Sequence, residues 1–137
     1  IIDLTLKSRP DLSTFAVPPQ EAQAINASGV IRAIGSIPRP ESVPYNDQIV
    51  AIHVDDLTVQ TGTYVLTGTE ALVYVWGMQE KELTPINNYR IGDLITLSLS
   101  AWSNVSQDLD GINRGEINDP RVRLAEPWWG QLPEVLP

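Results

Sequence analysis

The sequence predicts an all-β domain: a small antiparallel barrel, OB-like, with an irregular N-terminal lead-in and a C-terminal tail. Three observations support this fold class. Segments rich in β-branched residues recur between Val30 and Trp102, glycine and proline mark the turns between them, and no long helical period occurs. A β-sandwich is the alternative, because short strands with alternating faces also build that architecture. We expect one domain over 1–137, with the lead-in at 1–28, the barrel core at 29–102 and a packed tail at 103–137.

The lead-in is interrupted by prolines and is not expected to form a long element. Pro10, Pro18 and Pro19 each break a helix or strand, so 19–24 predicts at most one or two helical turns. The chain begins at Ile1 and not at methionine. We therefore expect a processed or trimmed chain, from which a signal peptide or anchor was removed upstream.

The first two predicted strands are short and rich in β-branched residues. The segment 30–37 ends at the proline-rich loop that begins with Pro38. The segment 48–55 places Val50, Ile52 and Val54 on one face, while its other face changes from apolar to polar. The stretch 58–69, with many threonines, predicts a hairpin or a loop that contains a short strand.

The later predicted strands differ in how they are buried. The segment 71–76 is apolar on both faces, which predicts a strand covered on both sides, and Gly77 is expected to end or bend it. The segment 94–102 alternates apolar residues with Thr96, Ser98 and Ser100, as a half-exposed antiparallel strand does. Trp76 and Trp102 end these two strands and are expected to pack.

Composition excludes several functional classes. The chain has 17 acidic and 9 basic residues, for a net charge of −8, so most of its surface would repel a phosphate backbone and nucleic acid is a poor partner. Cysteine is absent, which removes disulfides, thiolate catalysis and cysteine-ligated zinc. No apolar run of about 18 residues occurs, so we expect a soluble domain without a membrane span. No cofactor is predicted.

His53 is the only histidine, and any Ser-His-Asp chemistry would have to use it. Asp55 shares its strand face and Asp56 follows directly, so these three residues are the catalytic candidates. No nucleophile elbow of the Gly-x-Ser-x-Gly type accompanies them. A lone histidine on a strand is more often a packing or surface residue, and we favour that interpretation.

An acidic loop in the tail is the metal candidate. Asp108 and Asp110 precede Gly111, and Glu116 follows, which suits the oxygen-rich loops that bind calcium. The register of an EF-hand is not met, because Ile117 falls where the bidentate glutamate belongs. Arg114 adds a competing cation, so a solvated acidic turn is the favoured interpretation.

Trp128 and Trp129 are the candidate ligand-binding residues, with Tyr89 as a third aromatic. Neighbours in an extended segment point in opposite directions, so one tryptophan can anchor to the barrel while the other faces outward and stacks on a sugar ring or a partner protein. The alternative, which we favour, is that both rings cover an open end of the core.

Several segments together resemble a small bacterial β-domain that accompanies SGNH-hydrolase-like, alginate O-acetyltransferase-related proteins. The residues that carry the resemblance lie at 45–50, 71–78, 83–85, 89–93, 114–119 and 127–130. The catalytic Ser/Asp/His motifs of those enzymes do not occur in this sequence. The resemblance therefore implies an accessory domain in cell-surface polysaccharide modification, with no catalytic residue to carry over.

The leading functional hypothesis is a non-catalytic binding or accessory module in cell-surface polysaccharide modification or export. It would act in the periplasm or outside the cell, with a polysaccharide or a protein as partner; a cytoplasmic location is the alternative. A second hypothesis is a hydrolase-like enzyme that uses His53 with Asp55 or Asp56. A third is a structural barrel that self-associates or docks to a partner through a sheet edge.

Overall fold

A five-stranded β-barrel forms the centre of the computed structural model, which describes residues 15–19, 24–61 and 65–133. Within these residues the strands are β1 (Ile25–Ile34), β2 (Gln48–Thr61), β3 (Ala71–Gln79), β4 (Glu82–Leu83), β5 (Leu94–Ala101), β6 (Asn113–Gly115) and β7 (Pro127–Gln131). Two single-turn helices follow β5, α1 (Ser106–Leu109) and α2 (Pro120–Arg123). Short 3-10 turns lie at Pro40–Ser42, Pro85–Asn88 and Trp102–Asn104.

The barrel closes in the order β1, β2, β3, β7, β5 and back to β1. This is the strand order of an OB-like barrel, and the predicted fold class is confirmed. One detail of the prediction is wrong: the sheet is mixed and not purely antiparallel. β7 runs parallel to β3, because the long connection after β5 returns the chain to the gap between β3 and β5. Outside the barrel, β4 pairs antiparallel with the end of β3, and β6 pairs parallel with β2.

The barrel strands extend beyond the predicted core at both ends. β1 begins at Ile25, four residues before the predicted boundary, and β7 lies inside the predicted tail. The sequence of β7 does not alternate between apolar and polar residues, because this strand is buried on both sides. Trp128 points into the barrel interior and Trp129 into a second cluster outside it. The helical turns expected at 19–24 fall largely on 20–23, outside the described residues.

The interior of the barrel is filled by the inward faces of the strands. β2 contributes Val50, Ile52 and Val54, as the alternation predicted, and β5 contributes Ile95, Leu97 and Leu99. Trp128 is the largest fully buried side chain, and its indole N–H donates to the backbone oxygen of Ala16 at 3.1 Å. The lead-in thus contributes to the core, since one of its backbone oxygens satisfies a buried donor.

A second hydrophobic cluster lies on the outer face of β2, β3 and β7. It is covered by the segment 102–125, which we call the covering segment. From the barrel it takes Ile49, Ala51, Leu72, Tyr74 and Trp129; the covering segment supplies Trp102, Ile117 and Val122. The predicted tail is therefore a second layer on one face of the barrel as well as the source of its last strand.

The covering segment approaches the barrel closely at Gly115. A Cβ atom built on Gly115 would lie 2.1 Å from the backbone oxygen of Ser36 and 2.9 Å from Nε2 of Gln48. Only a glycine fits this position, where β6 lies against the chain that leaves β1. Gln48 is 3% exposed at this end of the barrel, and its Nε2 donates to the Ser36 oxygen at 2.8 Å.

Candidate functional site

OB-like barrels bind oligonucleotides and oligosaccharides on one face of the barrel, and in this protein the covering segment lies on that face. That face is the outer side of the second and third strands, with the adjoining loops. Here the corresponding side chains, including Ala51, Leu72 and Tyr74, are buried beneath the covering segment. These side chains are not accessible to a ligand while the covering segment is in place.

The contacts that hold the covering segment are polar as well as apolar. The Tyr74 hydroxyl donates to Oε1 of Glu116 at 2.9 Å. The guanidinium of Arg114 lies 5.3 Å from the Tyr74 ring centroid and 5.6 Å from that of Trp102, within range of cation–π attraction. Burial and the hydrogen bond to the Glu116 carboxylate together raise the pKa of Tyr74 to about 12. The neutral phenol is the form that this contact requires.

Trp76 is the tryptophan that solvent reaches most. Trp102, Trp128 and Trp129 are at most 7% exposed, whereas Trp76 is half-buried at the outer end of β3. Its ring meets Trp129 edge to face, with centroids 5.8 Å apart and planes at 84°. The sequence led us to expect Trp76 to pack, and it does so on one side only. Its remaining surface lines a groove of about 670 Å³.

The groove at Trp76 opens where two strands separate. β3 pairs with β7 only from Leu72 to Tyr74, and with β4 only from Met78. Between these pairings the backbone oxygen of Trp76 accepts from Oγ1 of Thr84 at 2.5 Å. The groove is lined by Val75, Trp76, Gln79, Thr84, Pro85 and residues 130–133, and none of these side chains is charged.

His53 belongs to a buried polar cluster that the sequence did not reveal. Its Nε2 lies 2.7 Å from Oε1 of Glu70, and Arg121 donates to both carboxylate oxygens of Glu70 at 3.1 Å. Phe15 stacks on the imidazole with ring centroids 5.4 Å apart, and the guanidinium of Arg121 lies over the Phe15 ring at 5.0 Å. The cluster ties β2, the start of β3, α2 and the lead-in together.

The structure does not bring His53 together with Asp55 or Asp56. Asp55 accepts from the Asp56 backbone N–H at 2.7 Å and from Oγ1 of Thr69 at 3.3 Å. Arg32 pairs with both aspartates, at 3.6 and 3.4 Å. Asp56 has a φ of 55°, a left-handed conformation that bends β2 just beyond His53. The histidine is 8% exposed and its described partner is Glu70, so the geometry lends no support to catalysis by the predicted group.

The acidic loop 108–116 is already paired with a cation from the chain. Arg114 lies 3.5 Å from a carboxylate oxygen of Asp110 and 3.8 Å from one of Glu116. Asp108 is exposed in α1. Within the described residues no group of three or more histidine, aspartate or glutamate side chains is arranged to hold a metal ion. Arg114 thus lies beside two of the three carboxylates that the sequence offered as metal ligands.

The three predicted ligand-binding aromatics have packing roles. Trp128 and Trp129 point in opposite directions, as expected of neighbours in a strand, but they are 0% and 6% exposed. Tyr89 is half-buried against the barrel interior. The rings of Trp128 and Trp129 therefore present almost no surface to a ligand. The sequence did not predict that Trp76 is partly exposed, because no local pattern shows that the strands beside it separate.

Comparisons with family models, with curated proteins and with solved structures found no match for this chain. In the part of the chain that the structure describes, no helix combines the length and hydrophobicity needed to cross a membrane.

Proposed function

We propose that this chain is a non-catalytic binding module of a system that modifies or exports a cell-surface polysaccharide, and that it acts outside the cytoplasm. The observation that carries the proposal is the groove at Trp76. It combines a partly exposed indole with the amides of Gln79 and Gln131 and the hydroxyl side chain of Thr84. An indole stacks on the apolar face of a sugar ring, and amides pair with its hydroxyls.

The proposal of a non-catalytic role is supported by the environment of His53. A general base must reach a proton of the substrate, and it needs an adjacent nucleophile or a bound water. His53 is covered by Phe15 and held by Glu70, which Arg121 holds in turn. These contacts suit a structural cluster. The hydrolase and sheet-edge docking hypotheses stay predictions, and no described contact favours either over binding.

Retardation in native gels that contain a polysaccharide tests the proposal. The panel holds neutral polymers (hydroxyethylcellulose, galactomannan and dextran) and the acidic polymers alginate and acetylated alginate. We expect at least one polymer to retard the protein, and Trp76→Ala to remove most of that retardation. Trp76→Phe keeps an aromatic ring and is expected to keep part of it.

Leu124→Ala is the matched control, because Leu124 is 82% exposed and borders a different groove, near Phe15 and Arg121. This variant is expected to migrate as the unmodified protein does. Thermal unfolding of each variant checks that the fold is kept. Unchanged retardation of a folded Trp76→Ala variant would exclude the groove. Absence of retardation by every polymer would overturn the polysaccharide proposal and favour a protein partner.

A further inference from the structure

An exposed face of the barrel beside the groove carries polar side chains without charge. It is formed by β7, β5 and β1, on the side of the barrel that the covering segment leaves open. We call it the hydroxyl face, and its residues are Asn26, Ser28, Thr96, Ser98, Ser100 and Gln131. All six are exposed or half-buried, whereas their neighbours along the strands, such as Ile25, Ala27, Leu97 and Leu99, are buried in the interior.

The strand register aligns these side chains in rows. Ser98 of β5 pairs with Asn26 of β1 on one side and with Gln131 of β7 on the other. Paired residues point to the same side of a sheet, and neighbouring strands lie about 4.8 Å apart. The row from Gln131 through Ser98 to Asn26 therefore spans about 10 Å. Gln131 also lines the groove at Trp76, so the row begins at the groove.

A second row runs parallel to the first. Ser28 pairs with Thr96 of β5 and with Thr58 of β2. Gln60, next on the outer face of β2, donates from Nε2 to Oγ of Ser28 at 3.0 Å. The polar surface thus continues onto β2. The nearest charged group along β1 is Arg32, which Asp55 and Asp56 neutralise.

An uncharged exposed face is unusual in a chain with 26 charged residues among 137. Protein surfaces commonly carry interspersed charged side chains of both signs, which keep proteins in solution. Hydroxyl and amide groups each donate and accept hydrogen bonds, as the hydroxyls of a sugar do. They offer no attraction to an anion, and the net charge of −8 repels one. The chemistry of the face therefore fits an uncharged, hydroxyl-rich ligand.

We infer that the hydroxyl face and the groove at Trp76 form one binding surface for an uncharged polysaccharide. The polymer lies across the strands along the row of Gln131, Ser98 and Asn26, with one ring stacked on Trp76. This inference rests on the proposed binding function and narrows its ligand from polysaccharides in general to neutral ones.

The double variant Ser98→Ala/Gln131→Ala tests the inference in the same native gels. It removes two hydrogen-bonding groups from the middle of the row and leaves the barrel interior unchanged. We expect the dissociation constant for the neutral polymer that binds best to rise about tenfold, as the loss of two hydrogen bonds predicts. Ser103→Ala/Gln107→Ala makes the same chemical changes at exposed positions of the covering segment and should stay within about twofold of the unmodified protein.

The outcomes of this experiment distinguish a failure of the inference from a failure of the proposed binding function on which it rests. Retardation by a neutral polymer that weakens in Ser98→Ala/Gln131→Ala, and not in the control, supports both. Retardation that the double variant leaves unchanged overturns the role of the hydroxyl face alone. Retardation by alginate and by no neutral polymer overturns the neutral ligand class and leaves the binding function standing. No retardation by any polymer overturns both.

Discussion

Tyr74 offers a direct test of how the covering segment is held on the barrel. Its hydroxyl donates to the carboxylate of Glu116, and its ring is buried between β3 and the covering segment. Removal of the hydroxyl in Tyr74→Phe deletes this hydrogen bond and leaves the ring in place. At neutral pH we expect the variant to be less stable by about 1.5–3 kcal/mol, the range for a hydrogen bond to a charged acceptor.

The stability difference between Tyr74→Phe and the unmodified protein shrinks at alkaline pH. Folding raises the pKa of Tyr74 from 10.0 to about 12, because burial and the Glu116 carboxylate both disfavour the phenolate. The stabilisation from the neutral phenol is therefore complete below pH 10 and is lost as the pH rises toward 12. The full loss is about 3 kcal/mol, since each pKa unit corresponds to about 1.4 kcal/mol. About half of this loss is reached at pH 11 and all of it only above pH 12, so we expect Tyr74→Phe and the unmodified protein to approach equal stability near pH 12.

Urea unfolding followed by tryptophan fluorescence, repeated between pH 8 and 12, measures both free energies. Every other titratable group is present in both proteins, so the difference between the two curves isolates Tyr74. Absorbance of the phenolate at alkaline pH gives an independent check on the pKa. A difference that stays constant between pH 9 and 12 would refute the reasoning, because it would mean that Tyr74 titrates alike in the folded and unfolded chains.

Two further substitutions test the buried polar cluster at His53 and the close approach of the covering segment to the barrel. Glu70→Gln is expected to lower the free energy of unfolding by about 2–3 kcal/mol, less than for a fully buried ion pair because the Arg121 side chain is 38% exposed. Glu82→Gln, on exposed β4, should change it by less than about 0.5 kcal/mol, and equal effects of the two would contradict a structural cluster. Gly115→Ala is expected to lower it by about 3 kcal/mol, since the added methyl meets a backbone oxygen 2.1 Å away. Gly111→Ala, where nothing lies within 4 Å, should be nearly neutral, and a comparable loss in this control would remove the steric explanation.

The candidate site was less predictable than the strands around it. The candidate catalytic group, His53 with its aspartates, was chosen for closeness in sequence. The partner of His53 is Glu70, 17 positions away, and Glu70 is held in turn by Arg121, 68 positions from the histidine. No local pattern links such residues, because strand pairing and the return of the covering segment decide which side chains meet. The same holds for Trp76, whose exposure follows from the separation of β3 from β7.

The sequence by itself determined the all-β class and the strands whose faces alternate. β5 shows this most clearly, because its period of two places Thr96, Ser98 and Ser100 outside and the apolar residues inside. Alternation is a local property, so the sequence displays it. The tertiary structure alone decided that β7 closes the barrel and that the covering segment occupies the face where OB-like barrels bind ligands. It also decided that uncharged side chains from three strands form one surface beside Trp76, because strand register joins residues that are far apart in the chain.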